Sequence, residues 1–209
     1  MSNATPKIRV FVEQATPRPV DLISDAMATC YCSERGLPYE RALKRVGRAV
    51  SSAHGSVLEH AGCTLRVEGV SRACMAQLTR HRMASFCVES QRYVKYGFSG
   101  LDYADKTCIP PSIRLTENLG LFSEHMEACQ RVYDELVEAG VPAQDARYAL
   151  PEAMLTSLVM TVNARELFHI LDMRLDSAAQ WEIQSLAEEI ERELRDHSVQ
   201  WNDLLALRA

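Results

Sequence analysis

Stretches that alternate like β-strands are few in this 209-residue chain, and long helical segments separate them. Ile8, Val10 and Val12 alternate loosely with Arg9 and Phe11. Further on, Cys63, Leu65 and Val67 alternate with Thr64, Arg66 and Glu68. Both show the period-2 pattern of strands, the second half-exposed. Residues 20–35 and 39–53 lie between them and read as helices, the second with Ala42, Val46 and Val50 at helical spacing. Strands this far apart need a single sheet covered by helices. The expected class is α+β, one mixed or antiparallel sheet flanked by several helices, and 209 residues suffice for one well-cored domain.

The remaining punctuation fits that class. Ser71 reads as the N-cap of a helix running to about Arg80, and residues 83–112 read mostly as loop, closed by Pro110-Pro111. A helix from about Thr116 to Ala139 has Phe122, Met126, Cys129, Val132 or Tyr133, and Leu136 on its apolar face. Gly140 sits where a C-terminal cap belongs, and Pro142 can open a short helix that Pro151 ends. Leu158, Val159, Thr161 and Val162 fit either a strand or a buried helix end. Asn163 and Glu166 form a capping-box pattern for a helix over 164–175, and Ile183, Leu186, Ile190 and Leu194 mark a last amphipathic helix.

Charge singles out one segment. Residues 80–93, RHRMASFCVESQRY, hold Arg80, Arg82 and Arg92 with His81, Ser85, Glu89, Ser90 and Tyr93, in a chain whose net charge is -5. A local positive cluster in an acidic chain points to a polyanionic small molecule, because guanidinium forks match phosphate oxygens. The acidic balance argues against bulk binding to nucleic acid, which needs a basic face. No run approaches the roughly 18 apolar residues of a membrane span. The N-terminus lacks a signal-peptide core, so a cytoplasmic protein is expected. Seven cysteines, odd in number and without a CxxC pair, read as reduced thiols. His54 and His60 are six apart, not the four of a helical zinc pair, so no metal site is expected, and His60 reads as a buried structural residue. GxGxxG is absent, and with it a Rossmann dinucleotide site.

Arg80-His81-Arg82, seven residues and Ser90 resemble the signature of the flavin-dependent thymidylate synthases, the ThyX family. The flanks resemble the family too: HGSVLEH at 54–60, SRACMAQLTRHR at 71–82, ARYALP at 146–151, NARELFHILDMR at 163–174 and AQWEI at 179–183. The resemblance implies a fold of the ThyX type over residues 1–209 and conversion of dUMP to dTMP. The carbon would come from methylenetetrahydrofolate, and the reducing equivalents from NADPH through FAD. Ser56, Arg80, His81, Arg82, Asn163, Arg165 and His169 are implied FAD contacts, and His54 is implied to lie near folate. Gln77, Arg80, Glu89, Ser90, Gln91, Arg92, Arg147 and Arg174 are implied to hold dUMP. Arg174 takes the central role, stabilising negative charge on the uracil ring.

Gln77 and Arg80 would share a helical face, as would Arg165 and His169 at a helix N-terminus that favours anions. Ser90 has no visible base to activate it, which favours substrate positioning over nucleophilic catalysis. Cys87-Val88 replaces the polar pair common in the family. A homotetramer with active sites shared between chains is implied. Its physical motive is that three ligand phosphates must be met by Arg80, Arg82, Arg92, Arg147, Arg165 and Arg174 on separate segments. Flavin-dependent methylation of another pyrimidine nucleotide and a non-catalytic nucleotide-binding module are the alternatives.

Overall fold

The computed structural model describes residues 8–94 and 106–208. In chain order the elements are β1 (Arg9–Ala15), α1 (Pro19–Cys30), α2 (Tyr39–Ser51), a 3-10 turn (Gly55–His60), β2 (Gly62–Ser71), α3 (Arg72–Leu78) and β3 (Ser85–Val88). Next come α4 (Pro111–Arg114), α5 (Leu119–Glu138), α6 (Ala143–Ala146), a second 3-10 turn (Arg147–Ala149), β4 (Leu155–Asn163), α7 (Ala164–Arg174), α8 (Trp181–His197) and α9 (Val199–Ala206). The strands form one sheet in the order β1-β2-β4-β3. Thr16, just past β1, exchanges hydrogen bonds with Gly62 at the start of β2, so these two strands run antiparallel. The β2–β4 register runs antiparallel as well: the amide of Ala164 donates to the carbonyl of Ala61, and that of Arg72 to the carbonyl of Met154. The α+β class is as expected. Among the described residues no helix is long and apolar enough to cross a membrane.

The chain divides into two compact units, one built on Glu68–Gln77 and Val88–Leu158, the other on Arg9–Val67, Leu78–Cys87 and Val159–Ala209. The second is the better cored. Ile23 of α1, Val46 of α2, Leu65 and Val67 of β2, Leu167 and Leu171 of α7, Ile190 and Leu194 of α8, and Trp201 of α9 are all fully buried. Trp201 satisfies its indole N–H by donating to the carbonyl of Thr16. Gln200 replaces a missing local cap on α1, its amide oxygen accepting from the amide of Val20 at 3.2 Å. Burial pushes the Cys63 thiol in this core up to about 12, so it stays protonated.

The first unit has a smaller core, in which Tyr133, Ala146 and Met154 are buried among Leu136, Val137, Val141, Ala149 and Leu150. Of the two candidates on α5, Tyr133 takes the core position, while Val132 is exposed. Gly140, at φ +86°, ends α5 as expected: its amide donates to Val137 and the amide of Val141 to Leu136, the paired bonds of a Schellman cap.

Several boundaries differ from the sequence expectation. Ser71 does cap α3, its hydroxyl accepting from the amide of Cys74, but α3 stops at Leu78. The segment over 83–112 includes β3 and the start of α4, and its residues 95–105 lie outside the described residues. The ambiguous 158–162 segment is strand β4. A separate helix, α9, follows α8 and is capped by Ser198, whose hydroxyl accepts from the amide of Trp201.

Candidate functional site

The residues marked by the sequence fall into two sets, one in each unit. In the unit of Arg9–Val67, Leu78–Cys87 and Val159–Ala209, the organising element is α7. Asn163 ends β4 with extended backbone, and its side-chain oxygen accepts from the amide of Glu166 at 2.9 Å. That bond starts α7, and the Glu166 carboxylate reaches to within 3.4 Å of His81 Nδ1. Arg165 and His169, one turn apart, line a cavity of about 440 Å³ together with Glu59, Met83, Asn163 and Glu166. A second cleft of about 410 Å³ shares Glu59, Met83 and Asn163 with the first and extends along Gln14, Thr16, Ser85 and Thr161.

Arg165 Nη1 donates to Glu59 Oε1 at 2.6 Å, and both side chains are about half exposed. Such pairs contribute roughly 0.2–1 kcal/mol, so a ligand anion can displace the carboxylate at small cost. Gly55 makes room for this arginine, since a Cβ there would lie 3.0 Å from Arg165 Nε. His54, which precedes this 3-10 turn, and Ser56 on it are exposed. His60 is also exposed, which corrects the expectation of a buried structural histidine: only Leu58 of that turn faces the core.

Arg80, His81 and Arg82 lie in the turn between α3 and β3. Because α3 ends at Leu78, Arg80 is not on the helix, and the expected helical face with Gln77 does not form. Arg80 and Arg82 are exposed, but His81 is only 5% exposed. Arg174, at the last turn of α7, donates from Nε to His81 Nε2 at 3.0 Å, and His169 meets the His81 ring edge-on at a centroid distance of 5.7 Å. Burial lowers the His81 pKa, and the neighbouring guanidinium of Arg174 lowers it further, against the opposing pull of Glu166. The imidazole is therefore neutral. His81, Glu166 and His169 offer ligand atoms within 4.8 Å of one another, but a guanidinium bonded to His81 Nε2 opposes a second cation there.

In the unit of Glu68–Gln77 and Val88–Leu158, Gln91 and Arg147 line a cleft of about 370 Å³ with Arg72, Met75, Tyr148, Leu150 and Glu152. Arg147 starts the second 3-10 turn, its Nε donating to the carbonyl of Gln144. Glu89, Ser90 and Arg92 follow β3. Arg72 Nη2 donates to the carbonyl of Glu89 at 2.8 Å, while the amide of Glu89 donates to the carbonyl of Ser157, so the start of this loop is held at both peptide groups. Ser90 Oγ accepts from the amide of Arg92 at 3.2 Å, an ordinary serine turn. Gln77 is half-buried at the end of α3 and, like Glu89, Ser90 and Arg92, is not part of that cleft's lining. Cys87 is exposed on β3 and Val88 half-buried.

Sequence reasoning passed over Arg72 and Glu166, and weighed Glu59 only as a metal ligand beside His54 and His60. Arg72 read only as the first residue of a helix and Glu166 only as half of a capping box. The available signal was charge: each is an ionic side chain within or beside a cationic cluster.

A family model described as thymidylate synthase complementing protein matches residues 12–198. A flavin-dependent thymidylate synthase of Geobacter sulfurreducens is 39% identical over 192 residues, 88% of this chain and 81% of that one. That of Thermococcus onnurineus is 35% identical, over 86% of this chain and 76% of its own. Among solved structures, thymidylate synthase X of Helicobacter pylori, determined with FAD and dUMP, superposes with a TM-score of 0.76 at 26% identity. The match covers 95% of this chain and 99% of that one. A match spanning β1 to the end of α8 includes both sets of site residues, and the chain belongs to the thymidylate synthase complementing protein family.

Proposed function

We propose that this chain is a flavin-dependent thymidylate synthase that converts dUMP to dTMP, with methylenetetrahydrofolate as carbon donor and NADPH as the source of reducing equivalents. The observation that carries the reading is the helix α7. It presents Arg165 and His169 to a cleft at its N-terminal end and holds Arg174 against a neutral histidine at the other.

The residues present fit FAD. The two clefts of about 440 and 410 Å³ share three lining residues and so adjoin, an arrangement that suits a groove for a dinucleotide. The groove offers a displaceable arginine beside the N-terminus of an eleven-residue helix, the donor set for a pyrophosphate. Asn163, Arg165, His169 and Ser56 would hold the cofactor, with Arg80 and Arg82 supplying further charge. His81, the remaining FAD contact that the resemblance implies, is 5% exposed and engaged by Arg174, and is assigned to the support of that residue instead. When bound, FAD supplies the hydride chemistry that the side chains lack.

For the nucleotide, Arg147 and Gln91 are the residues whose cleft suits a phosphate and a base, with Gln77, Glu89, Ser90 and Arg92 assigned to the same substrate. Ser90 serves positioning, since its oxygen already accepts from the backbone. Arg174 places a permanent cation where negative charge develops on the uracil ring, and removal of such a group typically costs about 2.7–4 kcal/mol. His54, exposed at the start of its turn, is assigned to the folate side.

The test is turnover by the purified protein loaded with reduced FAD. Thymidylate is expected from dUMP only when methylenetetrahydrofolate is present. A flavin-loaded preparation that makes none with every substrate supplied overturns the assignment. Product from a different pyrimidine nucleotide alone reassigns the substrate.

A further inference from the structure

We propose that His81 is a positioning residue for Arg174, and that Glu166 sets the tautomer in which it does so. The proposal rests on the reading of Arg174 as the uracil-facing cation.

The argument begins with donors and acceptors. Arginine Nε carries one hydrogen and cannot accept, so at 3.0 Å the facing His81 Nε2 must present its lone pair. The ring proton then resides on Nδ1. That nitrogen faces the Glu166 carboxylate at 3.4 Å, which favours a proton there. Glu166 and Arg174 are eight residues apart on α7, about 12 Å along its axis, and lie on one face of the helix. Their long side chains converge on the imidazole from its two ends. His169, from the same helix, meets the ring edge-on with the planes 74° apart, which limits its rotation.

Burial completes the arrangement. At 5% exposure His81 has little access to water as a substitute partner. A guanidinium is planar, so a hydrogen bond at Nε fixes its plane and with it the directions in which both Nη groups donate. His81 thereby aims the charged end of Arg174 without touching substrate. A second proton on the ring would set N–H against N–H and place a cation beside a cation.

The experiment compares His81→Phe, His81→Gln, Arg174→Ala and the double variant His81→Phe/Arg174→Ala, all loaded with FAD. Turnover, dUMP affinity by calorimetry and flavin content by visible absorbance are measured. His81→Phe is expected to lose about 100-fold in turnover, the scale of a roughly 1 Å misplacement, and to keep its flavin. His81→Gln is expected to recover most of that loss, because its amide oxygen reaches the place of Nε2 and accepts from Arg174. In the Arg174→Ala background, His81→Phe should cost no more than about twofold, since residues acting as a unit are not additive. A full additional loss in that background, or flavin loss that accounts for the defect, overturns the positioning role alone. Normal turnover in Arg174→Ala overturns the proposal together with the reading it rests on. Nitrogen NMR of histidine-labelled, unmutated protein decides independently of whether any variant folds. A neutral His81 with its proton on Nδ1 is expected, and a proton on Nε2 overturns the proposal.

Discussion

Arg165 shows how one side chain can be ready for a ligand. It is anchored by an exposed ion pair with Glu59 that costs little to exchange, and it packs over a glycine that leaves it room. Gly55→Ala should therefore act at a distance of one side chain. Its new Cβ, 3.0 Å from Arg165 Nε, pushes the guanidinium aside without straining the backbone. A charge-assisted hydrogen bond is worth about 1.5–3 kcal/mol, so its weakening should cost FAD binding up to roughly tenfold. Fluorescence titration of Gly55→Ala beside Arg165→Ala checks this, and an unchanged dissociation constant in both would remove Arg165 from the flavin contacts. Legibility at this scale followed residue type. Arg165 stood out as a cation at a helix N-terminus, while Arg147 and Arg174 were marked by the family resemblance. Glu166 and Arg72 did not, because a residue that caps or begins a helix has a sufficient local explanation, and its second contact, to His81 or to the Glu89 carbonyl, comes from a distant part of the sequence.

Among the elements, α7 and α5 were the most readable, each through a cap. Asn163 and Gly140 act through local backbone geometry, which sequence spacing encodes directly. At φ +86° a Cβ costs about 1–2 kcal/mol, and nothing lies within 4 Å of the space it would fill at Gly140. Gly140→Ala should thus lower Tm by a few degrees through the backbone alone, measurable by thermal denaturation, with turnover unaffected at temperatures well below Tm.

The short strand β3 was not legible. Ser85–Val88 is too brief for a period to emerge, and its pairing depends on β4, about seventy residues away. The end of α3 at Leu78 escaped too, because nothing in Thr79 or Arg80 breaks a helix.

Packing of α7 against the turn at His81 also makes a pH prediction. The folded His81 pKa is lowered from its ordinary value near 6.5 by burial first and by Arg174 second. The unfolded chain therefore takes up a proton that the folded chain refuses, and stability falls as pH drops below about 6.5. Tm recorded from about pH 7 to pH 5 should decline less steeply in His81→Phe than in the unmutated protein. Equal slopes would show that His81 titrates alike in both states. Glu191 acts in a lower window. Burial opposes ionisation of its carboxyl, but hydrogen bonds from Arg195 and Arg208 prevail and hold its pKa below the usual value, so the stability it gives disappears only as acid protonates carboxylates.

For the whole molecule, the α+β class followed from counting separated strands, whereas the division into two units did not. The contacts that define the units join segments such as Glu68–Gln77 and Val88–Leu158 only after folding. That division sorts the functional residues as well. Arg147 and Gln91 belong to one unit, while His81, Arg165, His169 and Arg174 belong to the other. We propose that the enzyme is a homotetramer whose active sites draw these two sets from different chains. A dinucleotide, a nucleotide and a folate need more lining than one chain of this size offers, and a cleft between subunits provides it. Arg147→Ala and Arg174→Ala, each strongly impaired alone, then damage opposite halves of a shared site. When the two are unfolded together and reassembled, some sites in the mixed oligomers receive both intact halves, and part of the activity should return. Reassembly of each variant with itself is the control and should recover none. Full turnover by a monomer, established by light scattering at the assay concentration, would rule out the shared site.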